Sequence, residues 1–268
     1  MLKKTSHWKG EHYNKVASPQ FEMNASFLKN YSLMNIQNAL DIGCGGGNTT
    51  AWMADQMQNG FITGIDASNS MIEAAIQTHK KSNLQFEFRP VEELDENNQY
   101  DLMTSFFCMH WVPNKRDAFK KIAKALMPEG RFLMIAPSPH PHLPHIRQKL
   151  MAQKEWVAFF ENYEDPLRHI TDFQYEEYAK TASLQIGACD TQKKSIFFEN
   201  KNLFSNFMYE MTPNLQTLPN EELKQRFLQQ LLDRYFDFYP TDNQGRCQID
   251  FNLIRLEAGK CNTSATGF

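Results

Sequence analysis

The chain has 268 residues, of which 41% are hydrophobic, and its 28 Lys and Arg residues nearly balance 31 Asp and Glu residues, for a formal net charge of −3. This length fits one large domain or a core with a lid. The near-neutral charge argues against a nucleic-acid partner. The sequence contains no apolar run long enough to predict a membrane span. The five cysteines are scattered and the first residues lack an apolar leader, so we expect reduced thiols in a cytoplasmic protein.

The segment before the first predicted strand, residues 1–38, contains one candidate helix. Apolar side chains recur at helical spacing between residues 20 and 33, which predicts a helix. This helix either packs over one edge of a sheet or forms a lid whose aromatic side chains and Gln20 face a bound ligand. Spacing alone favours packing.

The organising feature of the chain is a glycine-rich turn. An apolar strand runs into the pattern D-x-G-x-G-x-G, formed by Asp41, Gly43, Gly45 and Gly47, and a helix is predicted to follow. Glycine tolerates positive φ and lets a ligand approach the backbone. The first free N–H groups of the helix then suit a carboxylate or a phosphate.

A second strand, over residues 60–66, ends in Asp66. An acidic side chain at this place can accept hydrogen bonds from both hydroxyls of a ribose. The dinucleotide fingerprint G-x-G-x-x-G/A fits Gly43 and Gly45, but its third small residue falls on Asn48, which disfavours a nicotinamide or flavin cofactor. An α/β turn without a nucleoside ligand is the plain alternative.

Helices and strands then alternate along the chain. A helix follows Ser68, strands are predicted over residues 84–88, 100–107 and 131–136, and an amphipathic helix is predicted over 115–126, followed by a Pro-Glu-Gly turn. The alternation predicts an α/β fold, a doubly wound and mostly parallel sheet with helices on both faces.

Three candidate site segments lie at the carboxyl ends of the predicted strands, where ligands bind in such sheets. They are Asp41, Asp66 and residues 105–111. The loop after the third strand, with the acids Glu92 and Glu93, borders the same edge, although paired acids are usually solvated. These segments are expected to converge on one site.

The alternation breaks after the fifth strand. Residues 137–145, which carry three histidines between prolines, are predicted to form a stiff loop. Imidazole is a common metal ligand, but proline fixes φ and leaves the histidines little freedom to converge, so no metal is expected. Helices are predicted over 148–160 and 173–184, and strands over 186–199 and 246–256 complete a seven-stranded sheet.

We interpret the chain as four segments. Residues 1–137 form the core with its N-terminal helical segment, 138–184 a helical lid, 185–260 the completion of the sheet, and 261–268 a loose tail.

Three motifs, residues 40–47, 64–68 and 105–112, resemble those of class I S-adenosylmethionine (SAM)-dependent methyltransferases. The turn at 126–130 is similar to the family's Leu-x-Pro-Gly-Gly, with glutamate for one glycine. Among small-molecule enzymes, the chain is most similar to the juvenile hormone acid O-methyltransferase group and the related trans-aconitate and malonyl-carrier-protein methyltransferases. The resemblance covers about residues 8–136.

This resemblance implies SAM as the cofactor and S-adenosylhomocysteine as its product. It places the methionine end of SAM on Gly43 and Gly45, the ammonium group near Asp41, and the ribose hydroxyls on Asp66. An adenine-binding Asp would fall near Pro90, so the backbone or Val91 is expected to serve there. The other candidate cofactor-binding residues are Tyr13, Ala67, Val91, Glu92 and Ser105.

The same resemblance implies that Gln20 and Trp111 hold the carboxylate of an acceptor, with His110 beside them. A carboxylate is ionised at neutral pH and needs no general base; a phenol or amine would want one, and His110 is then the candidate. A packing role for His110 is the alternative.

We therefore predict methyl transfer to a small-molecule acceptor, at an oxygen of a carboxylate, by a protein for which a monomer is favoured. One alternative is a methyltransferase acting on a carrier-protein-bound or other macromolecular substrate. Another is a protein that binds SAM without catalysis. A nicotinamide-dependent dehydrogenase is the least favoured.

Overall fold

The computed structural model describes residues 18–138, 140, 142–165 and 170–261, and Tyr13 lies outside them. The helices among these residues are α1 Ser18–Leu28, α2 Asn48–Gln56, α3 Asn69–Thr78, α4 Lys115–Ala125, α5 Leu143–Met151, α6 Val157–Phe160, α7 Asp172–Thr181, α8 Lys201–Glu210 and α9 Glu221–Phe238. The strands are β1 Asn38–Ile42, β2 Phe61–Asp66, β3 Leu84–Phe88, β4 Tyr100–Phe106, β5 Leu126–Pro137, β6 Leu184–Phe198 and β7 Cys247–Lys260.

The strands form one seven-stranded sheet in the order β3-β2-β1-β4-β5-β7-β6. β1 lies between β2 and β4 and is parallel to both, whereas β7 is antiparallel to β5. The chain therefore passes from β1 to one side of the sheet and returns to the other side at β4. This reversal puts the topological switch point at the carboxyl ends of β1 and β4. The predicted doubly wound, mostly parallel, seven-stranded sheet is confirmed.

The core lies on the central strands of this sheet. Residues 39–42 of β1 and 102–106 of β4 are all buried, as expected of parallel strands covered on both faces. The amphipathic helix predicted after β4 is α4, which buries Phe119 and Ile122 in the core. Asn114 caps its start by accepting the backbone N–H of Asp117 at 3.1 Å, which satisfies one otherwise free donor.

The helix predicted over residues 148–160 is wrong in its bounds. α5 begins at Leu143, with Pro144 in its first turn, where the missing N–H of proline costs no intrahelical hydrogen bond. It ends before Ala152, and the short α6 begins only at Val157. Part of the histidine- and proline-rich segment predicted as a loop is therefore the first turn of a helix.

The predicted Pro-Glu-Gly turn lies within β5. Tyr100 of β4 pairs with Leu126, but Leu102 pairs with Arg131, so β5 carries extra residues there as a bulge. Glu129 in this bulge has a φ of 66°, a conformation that glycine adopts more readily.

The described residues divide into two compact units. The first draws on 18–137, 170–192 and 253–261 and contains the parallel strands; the second draws on the described residues of 138–165 and on 193–252. Within the second unit, α5 packs on α9.

The predicted segments 138–184 and 185–260 each contribute to both units, so their boundaries and the lid assignment stay predictions. None of the helices among the described residues is long and apolar enough to cross a membrane. The cytoplasmic location and the monomeric state stay predictions as well.

Candidate functional site

The glycine turn after β1 is fixed by its backbone. Gly43, Gly45 and Gly47 have φ angles of 73°, 53° and 83°, in the left-handed region where a side chain would be strained. The N–H groups of Gly43 and Cys44 both donate to the carbonyl oxygen of Ile65, at 2.8 and 3.0 Å. Backbone hydrogen bonds thus hold the turn against the end of β2.

Neighbouring side chains leave no room for a Cβ at two of these glycines. A Cβ on Gly43 would lie 2.2 Å from Sγ of Cys108, and a Cβ on Gly47 would lie 2.5 Å from Cζ of Phe86. The turn is therefore packed closely on the loop after β4 and on β3. Glycine is needed at both positions for space as well as for conformation.

Asp66 ends β2 and links that strand to the turn. Its Oδ2 accepts the N–H of Gly45 at 2.9 Å, and its Oδ1 accepts the N–H of Ser68 at 2.8 Å. Burial raises the pKa of this carboxyl, and the two N–H donors act in the opposite direction. Each carboxylate oxygen can accept a second hydrogen bond, and the side chain is half-buried, so Asp66 keeps acceptor capacity for a ligand.

Asp41 lies inside the sheet and is only 2% exposed. Its Oδ1 accepts the hydroxyl of Thr104 and its Oδ2 accepts the hydroxyl of Thr50, each at 2.7 Å. Burial raises the pKa of Asp41 to about 6, while the two hydroxyls lower it and nearby Asp66 raises it. Both oxygens are thus engaged in tying β1 to β4 and to α2.

The end of β4 is tied to the end of β1. Ser105 is wholly buried, and its Oγ donates to the carbonyl oxygen of Ile42 at 3.1 Å. Burial raises the pKa of the Cys108 thiol well above its usual range, so this thiol is neutral and packs on the glycine turn.

Two of the three residues predicted at the acceptor site, His110 and Trp111, lie in the 3-10 turn Met109–Trp111 that follows β4. His110 is buried and Trp111 is half-buried, and their ring centroids are 5.2 Å apart at an interplanar angle of 43°. The structure therefore brings both side chains to the carboxyl end of β4, at the switch point of the sheet.

Helix α1 reaches the start of α2. Nδ2 of Asn24 donates to Oγ1 of Thr49 at 3.1 Å, and Thr49 is the second residue of α2. Gln20 lies one turn before Asn24 on the same face of α1, and both are buried. α1 ends at Leu28 rather than at the predicted residue 33. The structure thus places Gln20 on the face of α1 that contacts the start of α2, the helix that follows the glycine turn.

The remaining predicted cofactor residues differ in accessibility. Ala67, directly after Asp66, is exposed and Glu92 is half-buried, whereas Val91 is buried in the hydrophobic core. Val91 and Glu92 belong to a short 3-10 helix, Val91–Glu93, that follows β3. Among the residues that the structure describes, no group of three His, Cys, Asp or Glu side chains is arranged to hold a metal ion.

Sequence reasoning missed three polar residues of the site: Asn24, Thr50 and Thr104. Thr50 carries a usable local signal, since a hydroxyl in the first turn of the helix can reach back to the strand before the glycine turn. Thr104 is 63 residues from Asp41, and Asn24 is 25 residues from Thr49. These two contacts exist only through the tertiary fold and leave no pattern in the sequence.

A family model described as "Methyltransferase domain" matches residues 35–202, more than half of the chain. The putative methyltransferase 235L of Invertebrate iridescent virus 6 is 26% identical over 256 residues, which cover 96% of this chain and 94% of that protein. The juvenile hormone acid O-methyltransferase of Drosophila melanogaster is 25% identical, over 72% of this chain and 69% of its own length.

The fold is shared with solved structures. Phosphoethanolamine N-methyltransferase 2 of Haemonchus contortus, solved in complex with S-adenosyl-L-methionine, superposes with a TM-score of 0.61 at 16% sequence identity. The superposition covers 97% of this chain and 59% of that chain. At 16% sequence identity, this similarity shows a shared fold alone.

A glycine turn and an acid beside the switch point of a doubly wound sheet are features of the α/β class of nucleotide-binding folds. The chain belongs to the methyltransferase domain family, and it is a methyltransferase. The resemblance to SAM-dependent methyltransferases drawn from the sequence is confirmed, and SAM is the methyl donor of that class.

Proposed function

We propose that this protein transfers a methyl group from SAM to an oxygen of a small-molecule carboxylate. The observation that carries the cofactor part of the proposal is the position of Asp66. It ends β2 beside the glycine turn, holds the N–H of Gly45, and keeps acceptor capacity for the two hydroxyls of a ribose.

The residues present fit the cofactor. Gly47 is the N-cap of α2 and offers no side chain to the first amides of the helix, so the N–H groups of Asn48, Thr49 and Thr50 suit the carboxylate of the methionine end. Gly43 and Gly45 let this end approach the backbone. When bound, SAM supplies an electrophilic methyl group on a sulfonium centre.

The other candidate residues have separate tasks in this proposal. Ala67 and Glu92 border the adenine at the carboxyl ends of β2 and β3. The Val91 side chain is buried in the hydrophobic core, so this residue serves the adenine through its backbone. Asp41 and Ser105 hold the ends of β1 and β4 together, because Asp41 forms hydrogen bonds with two threonines and Ser105 forms one with a carbonyl group of β1. Two other roles stay predictions: that Asp41 lies near the ammonium group of the cofactor, and that Ser105 contacts the cofactor. Tyr13 also stays a prediction.

Gln20, Trp111 and His110 are proposed to serve the acceptor. Gln20 lies on the face of α1 that meets the start of α2, and Trp111 and His110 follow β4. An ionised carboxylate is a nucleophile without a general base, so the amide and the indole N–H only have to orient it. The name of the Drosophila relative, an acid O-methyltransferase, supports an acid as the acceptor.

The test is a matched panel of acceptors incubated with SAM and the purified protein. Each apolar carboxylic acid is paired with the corresponding alcohol, amine and amide, and the release of S-adenosylhomocysteine and the mass of the product are measured. We expect methyl esters from the acids and no product from their partners. Methylation of the alcohols, amines or amides in place of the acids would contradict the carboxylate assignment. SAM binding without product across the panel would favour a non-catalytic SAM-binding protein.

A further inference from the structure

One side-chain atom near the glycine turn is buried without a hydrogen-bond partner. Asn24 is 5% exposed, and its Nδ2 donates to Oγ1 of Thr49 at 3.1 Å. Its Oδ1 is buried and accepts no hydrogen bond from the residues that the structure describes. A buried carbonyl oxygen without a donor is costly and uncommon in folded proteins, so a donor from a ligand is a physical reason for its position.

The neighbouring helix start provides the complementary half of a binding site. α2 has nine residues, and its N-cap Gly47 supplies no side-chain acceptor. Its first N–H groups therefore favour a carboxylate. An amino acid carries an ammonium group next to its carboxylate, and an ammonium group has three donors and no acceptor. A buried oxygen beside the helix start is what such a group requires.

Each of the two nearby carboxylates has another role. Asp41 accepts hydroxyls of Thr50 and Thr104, and Asp66 accepts two backbone N–H groups at the place expected for a ribose. We propose that Oδ1 of Asn24 accepts a hydrogen bond from the ammonium group of the cofactor's amino-acid end, whose carboxylate lies on the first amides of α2. This inference rests on the proposed use of SAM. The neutral amide of Asn24 can accept a hydrogen bond from the ammonium group without repelling the carboxylate of the same amino-acid end.

The experiment compares two ligands that differ in the amino-acid end. S-adenosylhomocysteine carries the ammonium group, and 5′-methylthioadenosine lacks the whole amino-acid end. Both are titrated calorimetrically into the wild-type protein and into Asn24→Leu, which has a similar size and no acceptor. We expect Asn24→Leu to weaken S-adenosylhomocysteine about tenfold, the effect of one hydrogen bond to a charged group, and to leave methylthioadenosine unchanged. An unchanged affinity for S-adenosylhomocysteine, or an equal loss for both ligands, would overturn the inference.

Controls separate this inference from folding and from the proposed function. Asn30→Leu changes an exposed asparagine in the segment after α1 and should leave both affinities unchanged. Thermal melting of each variant reports on the fold, and if Asn24→Leu does not fold, Asn24→Ala is titrated with the same two ligands and read by the same criteria. A wild-type protein that binds neither ligand would overturn the proposed function, and this inference with it.

Discussion

The carboxylate of Asp66 accepts the backbone N–H of Gly45 at 2.9 Å, although the two residues are 21 positions apart in the chain. This hydrogen bond joins the end of β2 to the glycine turn after β1. This hydrogen bond therefore makes the proposed ribose acceptor and the proposed methionine-binding turn one structural unit, and a substitution in either is expected to disturb the other.

Replacing Asp66 tests this unit. Asp66→Ala removes the acceptor of the N–H groups of Gly45 and Ser68 together with the proposed ribose contact. We expect the dissociation constant of S-adenosylhomocysteine to rise at least about tenfold, since hydrogen bonds to charged groups are worth about 1.5–3 kcal/mol. Asp95→Ala, at an exposed loop carboxylate, should bind normally. Normal binding by Asp66→Ala, measured calorimetrically, would rule out the ribose assignment.

Gly43 and Gly245 form a matched pair for separating backbone strain from lack of space. Their φ angles are 73° and 76°, but a Cβ on Gly43 meets Cys108 at 2.2 Å, whereas a Cβ on Gly245 meets nothing within 4 Å. Gly245→Ala should cost only the strain of a left-handed residue, about 1–2 kcal/mol. Gly43→Ala should cost about 1–3 kcal/mol more through overpacking and should also abolish binding of S-adenosylhomocysteine. Equal melting temperatures for the two variants would contradict the packing described for the turn.

Asp41 predicts a pH dependence of stability. Burial raises its pKa in the folded protein to about 6 from the ordinary 3.8. The folded state thus binds this proton more tightly than the unfolded state, so the contribution of Asp41 to the free energy of unfolding falls as the pH rises from about 4 to about 6. The Asp41→Asn substitution replaces the ionisable carboxyl group with a neutral amide, which can still form hydrogen bonds with Thr50 and Thr104. At pH 7.5 the variant should be more stable by about 1–3 kcal/mol, and near pH 4 the difference should vanish.

The measurement for Asp41 is the melting temperature of the ligand-free protein across this pH range. Asp95→Asn, at an exposed carboxylate, is the control and should track the wild type throughout. An Asp41→Asn variant that is less stable than the wild type at pH 7.5 would show that the charge is favourable in the folded state, contrary to this account.

Gln20 and Trp111 are expected to act on the acceptor and not on the cofactor. Gln20→Ala and Trp111→Phe should raise the KM for a carboxylic acid, or lower kcat, by about tenfold or more, because they loosen the orientation of the reacting oxygen. The dissociation constant of S-adenosylhomocysteine should change less than about twofold. Steady-state kinetics and calorimetry on the same preparations separate the two effects, and a loss confined to cofactor binding would move these residues to the cofactor site.

The sequence predicted the parts of the fold that are encoded locally. The strand before Gly43, the helix after Gly47 and the strand that ends in Asp66 follow one another in the chain, so their order predicts this part of the fold. Asn48 in the third fingerprint position correctly argued against a dinucleotide enzyme, because the chain belongs to the methyltransferase domain family. The periodicity of α4 likewise identified its buried face.

The features that the sequence did not reveal depend on residues far apart in the chain or on special backbone positions. The bonds of Asp41 to Thr104 and of Asn24 to Thr49 join separate elements, and neither residue type stands out locally. Proline at residue 144 favours a loop in the sequence, but the first turn of a helix accommodates proline. The acceptor-binding residues stay predictions. The shape of an acceptor pocket is not encoded in a sequence motif that could identify the residues that line it.

The measurement that tests the central claim most directly is a calorimetric titration of the wild-type protein with S-adenosylhomocysteine, with NAD as the control ligand. We expect saturable binding of S-adenosylhomocysteine with a dissociation constant of about 1–100 μM, a binding free energy of about 5–8 kcal/mol in magnitude, and no heat from NAD. Binding of NAD without binding of the adenosyl ligand would contradict the assignment of the glycine turn and of Asp66.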